Sequence, residues 1–234
     1  MCGRAYSTYT AEELYFQFLN RKPLDGSDFT LKPNYNMSPT QDAPIIRQSD
    51  GSRGIVLMRW GIVPPWEKQF STKLSTINAK SEAAFESRLY KSSITKRRCI
   101  VPVSGFFEWK KEEAGKRPFR IFQKESPIMA MAGIWSSWRA LPSKEDPAPQ
   151  ERHSFSIMTT AANTFMSRIH DRMPVILETK DYEEWLDPEV QDPVQIGKLL
   201  KSCPPAWLDC IEVSTLVNSP RNNRAEVLEP ALSK

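Results

Sequence analysis

The sequence predicts an α+β fold, a single domain of mostly antiparallel β-sheet, barrel-like, with peripheral helices. Three observations carry this. Apolar runs of strand length, bounded by Gly and Pro, recur along most of the chain, as in Ile55-Val-Leu-Met-Arg-Trp60. Helical patterns are few and do not alternate regularly with these runs, which argues against a doubly wound parallel sheet. Neither GxGxxG nor GxxxxGK(S/T) occurs, so no nucleotide cofactor is expected. With 234 residues, 40% hydrophobic and 26% charged, the chain can bury a core, which excludes the disordered and low-complexity classes.

The elements follow in order. Thr10-Ala-Glu-Glu13 is a capping box ahead of Leu14, Phe16, Phe18 and Leu19, so a helix is expected over 11–19. Residues 20–43 carry Pro23, Gly26, Pro33 and Pro39 and read as loop. Strands are expected at 44–47 and 54–63. Residues 64–80 hold Pro64-Pro65-Trp66 and a polar stretch, and a helix is expected over 81–89. Further strands fit 98–109, 118–123, 129–137, 154–160 and 173–177. Helices fit 180–186 and 194–202, and a late strand fits 208–214. The charged, Pro-rich stretch 140–152 reads as a surface loop because strand-like runs flank it. The core is expected over about 2–219 of the single domain 1–234, with a C-terminal tail over about 224–234.

No apolar stretch approaches the roughly 18 residues of a membrane span, and the N-terminus has no apolar signal region. A soluble, cytoplasmic protein with no membrane partner is the expectation. The net charge of +4 permits nucleic-acid binding without requiring it, so an anion site must come from local clustering. Cys2, Cys99, Cys203 and Cys210 include no CxxC pair, and His153 and His170 are the only histidines. Neither a zinc site nor a disulfide framework is expected, and Cys99, Cys203 and Cys210 read as packing residues.

Cys2 differs by its place. Methionine removal before so small a residue would leave an α-amine and a thiol on adjacent carbons. Unperturbed, these titrate near pKa ~7.7–8.0 and ~8.5, so free amine exists at neutral pH. Together they can capture an aldehyde, the amine as a Schiff base and the thiol by closing a five-membered thiazolidine. The competing reading is an accidental second residue. Glu108, between aromatics in Phe106-Phe-Glu-Trp109, is either a carboxylate with a raised pKa suited to proton transfer or one pointing to solvent. His170 lies between Arg168 and Arg172, cations suited to phosphate, and Asp171 could orient it; the alternative is a structural histidine.

MCGR at the start, NMSPTQ at 36–41, RWGIVPPW at 59–66, NAKSE at 78–82, GFFEW at 105–109, HDRMPVIL at 170–177 and VNSPRNN at 217–223 follow in this order. On these motifs the chain resembles the SRAP family, the SOS response-associated peptidase proteins that shield abasic sites in single-stranded DNA, over nearly its whole length. The resemblance implies that mature Cys2 captures the ring-opened abasic deoxyribose as a thiazolidine crosslink. It implies that Asn78 orients the cysteine backbone or the sugar, that Glu108 handles protons around the α-amine, and that His170 is an acid/base group on the sugar oxygen. Arg4 and Arg172 become phosphate contacts, and Arg59 and Arg168 join them in a basic track. Lys80 stands where the family pattern has arginine, which keeps the charge and loses the fork. Trp66, with Ile62 and Val63 in the same turn, resembles the family's wedge against the bent strand, whereas Trp60 reads as core. The expected partner is single-stranded DNA carrying abasic sites, bound by a monomer without metal or cofactor. AP-lyase activity and autocatalytic removal of Met1 are possible accompaniments. The alternatives are an N-terminal-Cys peptidase or amidase and a DNA-binding module in which Cys2 is incidental.

Overall fold

The computed structural model describes residues 2–22, 31–49, 51–113, 115–142, 146 and 148–231. The strands are β1 (Ala5–Ser7), β2 (Asn34–Met37), β3 (Asp42–Ser49), β4 (Ser52–Trp60), β5 (Asn78–Lys80), β6 (Arg98–Val103), β7 (Gly105–Glu112), β8 (Gly115–Gln123), β9 (Met129–Trp138), β10 (Arg152–Ala161), β11 (Arg172–Pro174) and β12 (Leu208–Glu212). The helices are α1 (Ala11–Leu19), α2 (Lys91–Lys96), α3 (Tyr182–Leu186) and α4 (Pro193–Leu199). Mostly sheet with a few helices, the architecture is the α+β class expected.

β10, β4, β3, β6 and β9 pair in sequence, and β9 pairs back onto β10, closing a five-stranded barrel. β5 runs parallel to β10 beyond the end of β4, at Ile157↔Asn78 and Thr159↔Lys80. β11 pairs antiparallel with the same end of β10, at Ala161↔Arg172. β10 therefore carries β5 and β11 at one end of the barrel. The second sheet, β12-β8-β7-β1-β2, is antiparallel throughout.

Side-chain alternation divides the barrel strands between two cores. Ile46, Ile100 and Ile134 pack with Leu14, Phe18, Ile94, Trp185 and Ile196 of the four helices. Ile45, Cys99, Val101 and Phe155 pack with Ala5, Phe106 and Ile121 of the second sheet. Cys2 belongs to that second cluster, so the N-terminus is drawn between barrel and sheet.

Several expectations need correction. The helix expected over 81–89 is a series of turns, and the helix forms at 91–96. Backbone bonds there run Ala83 to Lys80 and Glu86 to Ala83, and the Leu89 N–H donates to the Ser87 hydroxyl. A serine that offers the backbone a local acceptor breaks the helical ladder. The run 98–109 is two strands in different sheets, split at Ser104. At Gly105 an added Cβ would lie 2.4 Å from the Ile121 carbonyl oxygen and 2.6 Å from Tyr6, so only glycine lets the chain cross there. The loop expected over 20–43 contains β2 and the start of β3; its residues 23–30 lie outside the described set. Of the loop 140–152, residues 143–145 and 147 lie outside it too. The expected tail from 224 is docked through Ala231: Val227 is fully buried, Pro230 bridges Val213, and Ala231 donates to the Glu212 carbonyl. Among the described residues no helix is long and apolar enough to cross a membrane.

Candidate active site

Cys2 is buried at the entry to β1, and its backbone is tied into the fold. Ala5 and Tyr6 pair with Phe106 and Gly105, and Phe107 donates to the Arg4 carbonyl at 2.9 Å. Extended towards the terminus, this register brings Gly3 opposite Glu108. From β5, at the end of the barrel, the Asn78 side-chain amide donates to the Cys2 carbonyl at 2.8 Å. Asn78 is held in turn by β5–β10 pairing, and the Tyr90 hydroxyl donates to its carbonyl at 3.3 Å. Trp60, fully buried and stacked on Phe155, donates from Nε1 to the Ile77 carbonyl at 3.0 Å.

Glu108 is buried on β7, so its solvent-facing reading is overturned. Burial pushes the Cys2 thiol up, and the Glu108 carboxylate raises it further. In the resting protein this thiol is neutral. Cys2, Asn78 and Glu108 are thus brought together from three elements far apart in sequence.

His170 stands in the loop entering β11, one strand across β10 from Asn78. Its backbone N–H donates to the carbonyl of Met166, which belongs to the same core cluster as Cys2. Its Nδ1 lies 3.0 Å from the Arg172 backbone nitrogen, which donates to it. Asp171 Oδ1 lies 2.8 Å from the same Nδ1.

The cations are not equally available. Arg4 Nη1 donates to Asn36 Oδ1 at 2.7 Å and to the Val217 carbonyl at 2.8 Å, and burial lowers its pKa. It ties the N-terminal strand to the segment around 217. Arg59 donates to the Gly61 carbonyl at 2.8 Å and lies over Phe70. Arg172 forms a two-pronged ion pair with Glu82 at 2.6 and 2.8 Å. Lys80 and Arg168 are exposed. Trp66 is 52% exposed with Arg88 over its ring, whereas Ile62 and Val63 are fully buried, so the wedge reading does not extend to those two.

Sequence reasoning missed Asn36, whose amide also donates to the carbonyls of Val217, Ser219 and Asn222. Its place in NMSPTQ was its only signal in the sequence, since its burial at 0% exposure is not legible there. It also missed Glu82, inside the quoted NAKSE run. Among the described residues no group of three or more His, Cys, Asp or Glu could hold a metal ion.

The model of the family described as SOS response associated peptidase (SRAP) matches residues 1–220. The chain belongs to the SRAP family. It is similar to Abasic site processing protein YoaM of Bacillus subtilis, 35% identical over 231 residues and 98% of each chain. It is likewise similar to Abasic site processing protein YoqW of that organism, 34% identical over 230 residues, 98% of this chain and 99% of the relative. Abasic site processing protein HMCES of Xenopus tropicalis is 30% identical over a 268-residue alignment, covering 97% of this chain and 78% of the relative. The crystal structure of a protein from Bacteroides thetaiotaomicron, 27% identical, superposes with a TM-score of 0.78 over 97% of this chain and 99% of that one. In this SRAP protein the motifs NAKSE and GFFEW thus converge on Cys2.

Proposed function

We propose that this protein processes abasic sites in single-stranded DNA by covalent capture on mature Cys2. The observation that carries the reading is the Asn78–Cys2 bond at 2.8 Å beside a buried carboxylate. An incidental second residue has no reason to be clamped by a buried amide 76 positions away. The SRAP relatives named abasic site processing proteins support the same substrate.

The chemistry follows from the groups present. The α-amine of Cys2, free once Met1 is removed, adds to the aldehyde carbon of the opened deoxyribose. Loss of water gives the imine, which is protonated at nitrogen. That adjacent positive charge lowers the thiol's pKa, so sulfur becomes nucleophilic only after the imine exists. Glu108 takes the thiol proton, sulfur bonds to the imine carbon, and the nitrogen becomes neutral as the ring closes. One water leaves overall. Asn78 Oδ1 is buried and has no hydrogen-bond partner among the described residues, so it suits a donor formed along this path. His170 serves the sugar ring oxygen as acid and base. Trp66 offers a stacking face, worth roughly 1–3 kcal/mol per base, and Lys80, Arg168 and Arg172 meet phosphates.

Incubation with a single-stranded oligonucleotide carrying an abasic site, followed by a denaturing gel, tests the reading. A heat-stable shifted band is expected. A shift seen only on native gels contradicts it in favour of a binding module, and ammonia release from glutamine without a stable band contradicts it in favour of an amidase.

A further inference from the structure

Arg172 is one of the cations that the proposed function assigns to DNA phosphates, yet its fork is already filled. Nη1 and Nη2 meet Oε1 and Oε2 of Glu82 at 2.6 and 2.8 Å. A guanidinium presents the same two parallel donors to a phosphate. The partners are held very differently. The Arg172 side chain is 16% exposed, and Nη2 also donates to the Thr159 carbonyl of β10 at 2.7 Å. The Glu82 side chain is 55% exposed, on the turn that follows β5. Arg172 Nε is buried without a hydrogen-bond partner, so Glu82 and Thr159 leave the guanidinium unsaturated.

We propose that Glu82 is an internal stand-in for a nucleic-acid phosphate, holding the Arg172 fork in place in the unbound protein and swinging aside when a single strand's backbone arrives. The inference rests on the DNA reading above and deepens it. Two consequences follow. The arginine is preorganised without DNA, so little side-chain ordering remains to be done on binding. A lone anion must displace Glu82 for a single contact, whereas a strand offers several phosphates at once and gains from their linkage. Glu82 thus favours polyanions over free phosphate. It is a positioning residue acting through Arg172.

The test is the affinity for an undamaged fluorescent single-stranded oligonucleotide across a salt series, for the full-length wild type, Glu82→Gln, Glu82→Ala, Arg172→Gln and the Glu82→Gln/Arg172→Gln double variant. Glu82→Gln and Glu82→Ala should each bind about three- to tenfold tighter at low salt, since a competing surface ion pair is removed. Arg172→Gln should bind more weakly, with a log–log salt slope flatter by about 0.7. In the double variant the gain from losing Glu82 should vanish. Unchanged or weaker binding in both Glu82 variants, with Arg172→Gln weakened, overturns the stand-in and makes Glu82 a fixed support. Unchanged binding and slope in Arg172→Gln instead overturns the assignment of Arg172 to the DNA path.

Discussion

Cys2→Ala should reduce the heat-stable adduct with abasic single-stranded DNA to background while leaving a transient adduct behind. The variant keeps the α-amine, so the Schiff base still forms, and lacks the sulfur that closes the ring. Borohydride should therefore trap it, and without borohydride it should pass on to strand cleavage by β-elimination. Cys2→Ser should behave alike, because a hydroxyl closes the ring far less favourably. The lost sulfur is buried, so a stability cost of about 1 kcal/mol is expected from the vacated space. That is too small to unfold a domain with stability in the ordinary range. Affinity for undamaged DNA should change little, since Cys2 supplies chemistry and no phosphate contact. A denaturing gel with and without borohydride, beside a binding titration, reads all three effects.

Glu108→Gln should slow formation of the stable adduct by about 10²–10⁴-fold, the usual range for a lost acid/base group. This variant separates two roles that the geometry superimposes. The Glu108 charge raises the Cys2 thiol in the resting protein. Were that field its only influence, the neutral amide would ease ionisation of the thiol and quicken ring closure. If Glu108 is the proton acceptor, the amide cannot take the proton and closure slows. The sign of the rate change decides between them. Single-turnover gel kinetics measure it, with undamaged-DNA affinity as the control that should stay put. A rate equal to or above wild type removes Glu108 from proton transfer.

How far the sequence could be read depended on how local each signal was. The helix at 11–19 was legible because its start is a capping box, with the Thr10 hydroxyl and the Glu13 carboxylate each meeting the other's backbone N–H. Strands β2 and β5 were not, because Asn34-Tyr-Asn-Met37 and Asn78-Ala-Lys80 are short, polar and made into strands by their partners. The division of 98–109 between two sheets was marked only by Ser104-Gly105, a small polar pair between two apolar runs that a single strand can also carry. The same holds at the site. The amine-and-thiol chemistry proposed for Cys2 follows from its position alone, and the ordered motifs named the family. What no motif discloses is which charges are already occupied. Arg4 reads as a phosphate contact in MCGR, yet its Nη1 serves Asn36 and Val217, 32 and 213 positions away. Glu82 closes NAKSE without a role assigned to it there, yet its carboxyl is held down at about pKa 2 by hydrogen bonds from Arg172. Such pairings are made by tertiary contact at long sequence separation, which composition and periodicity do not record.

The central claim is that both reacting groups belong to one N-terminal residue. Intact-mass measurement after incubation with an abasic oligonucleotide tests it most directly, comparing the mature protein with one carrying an uncleavable N-terminal extension. The extension acylates the α-nitrogen of Cys2 and leaves its thiol in place. The account predicts an adduct for the mature protein equal to the chain without Met1, plus the DNA, minus one water, and no stable or borohydride-trapped adduct for the extended one. A stable adduct formed equally well by the extended protein would contradict it, because the nucleophile would then be a side chain elsewhere.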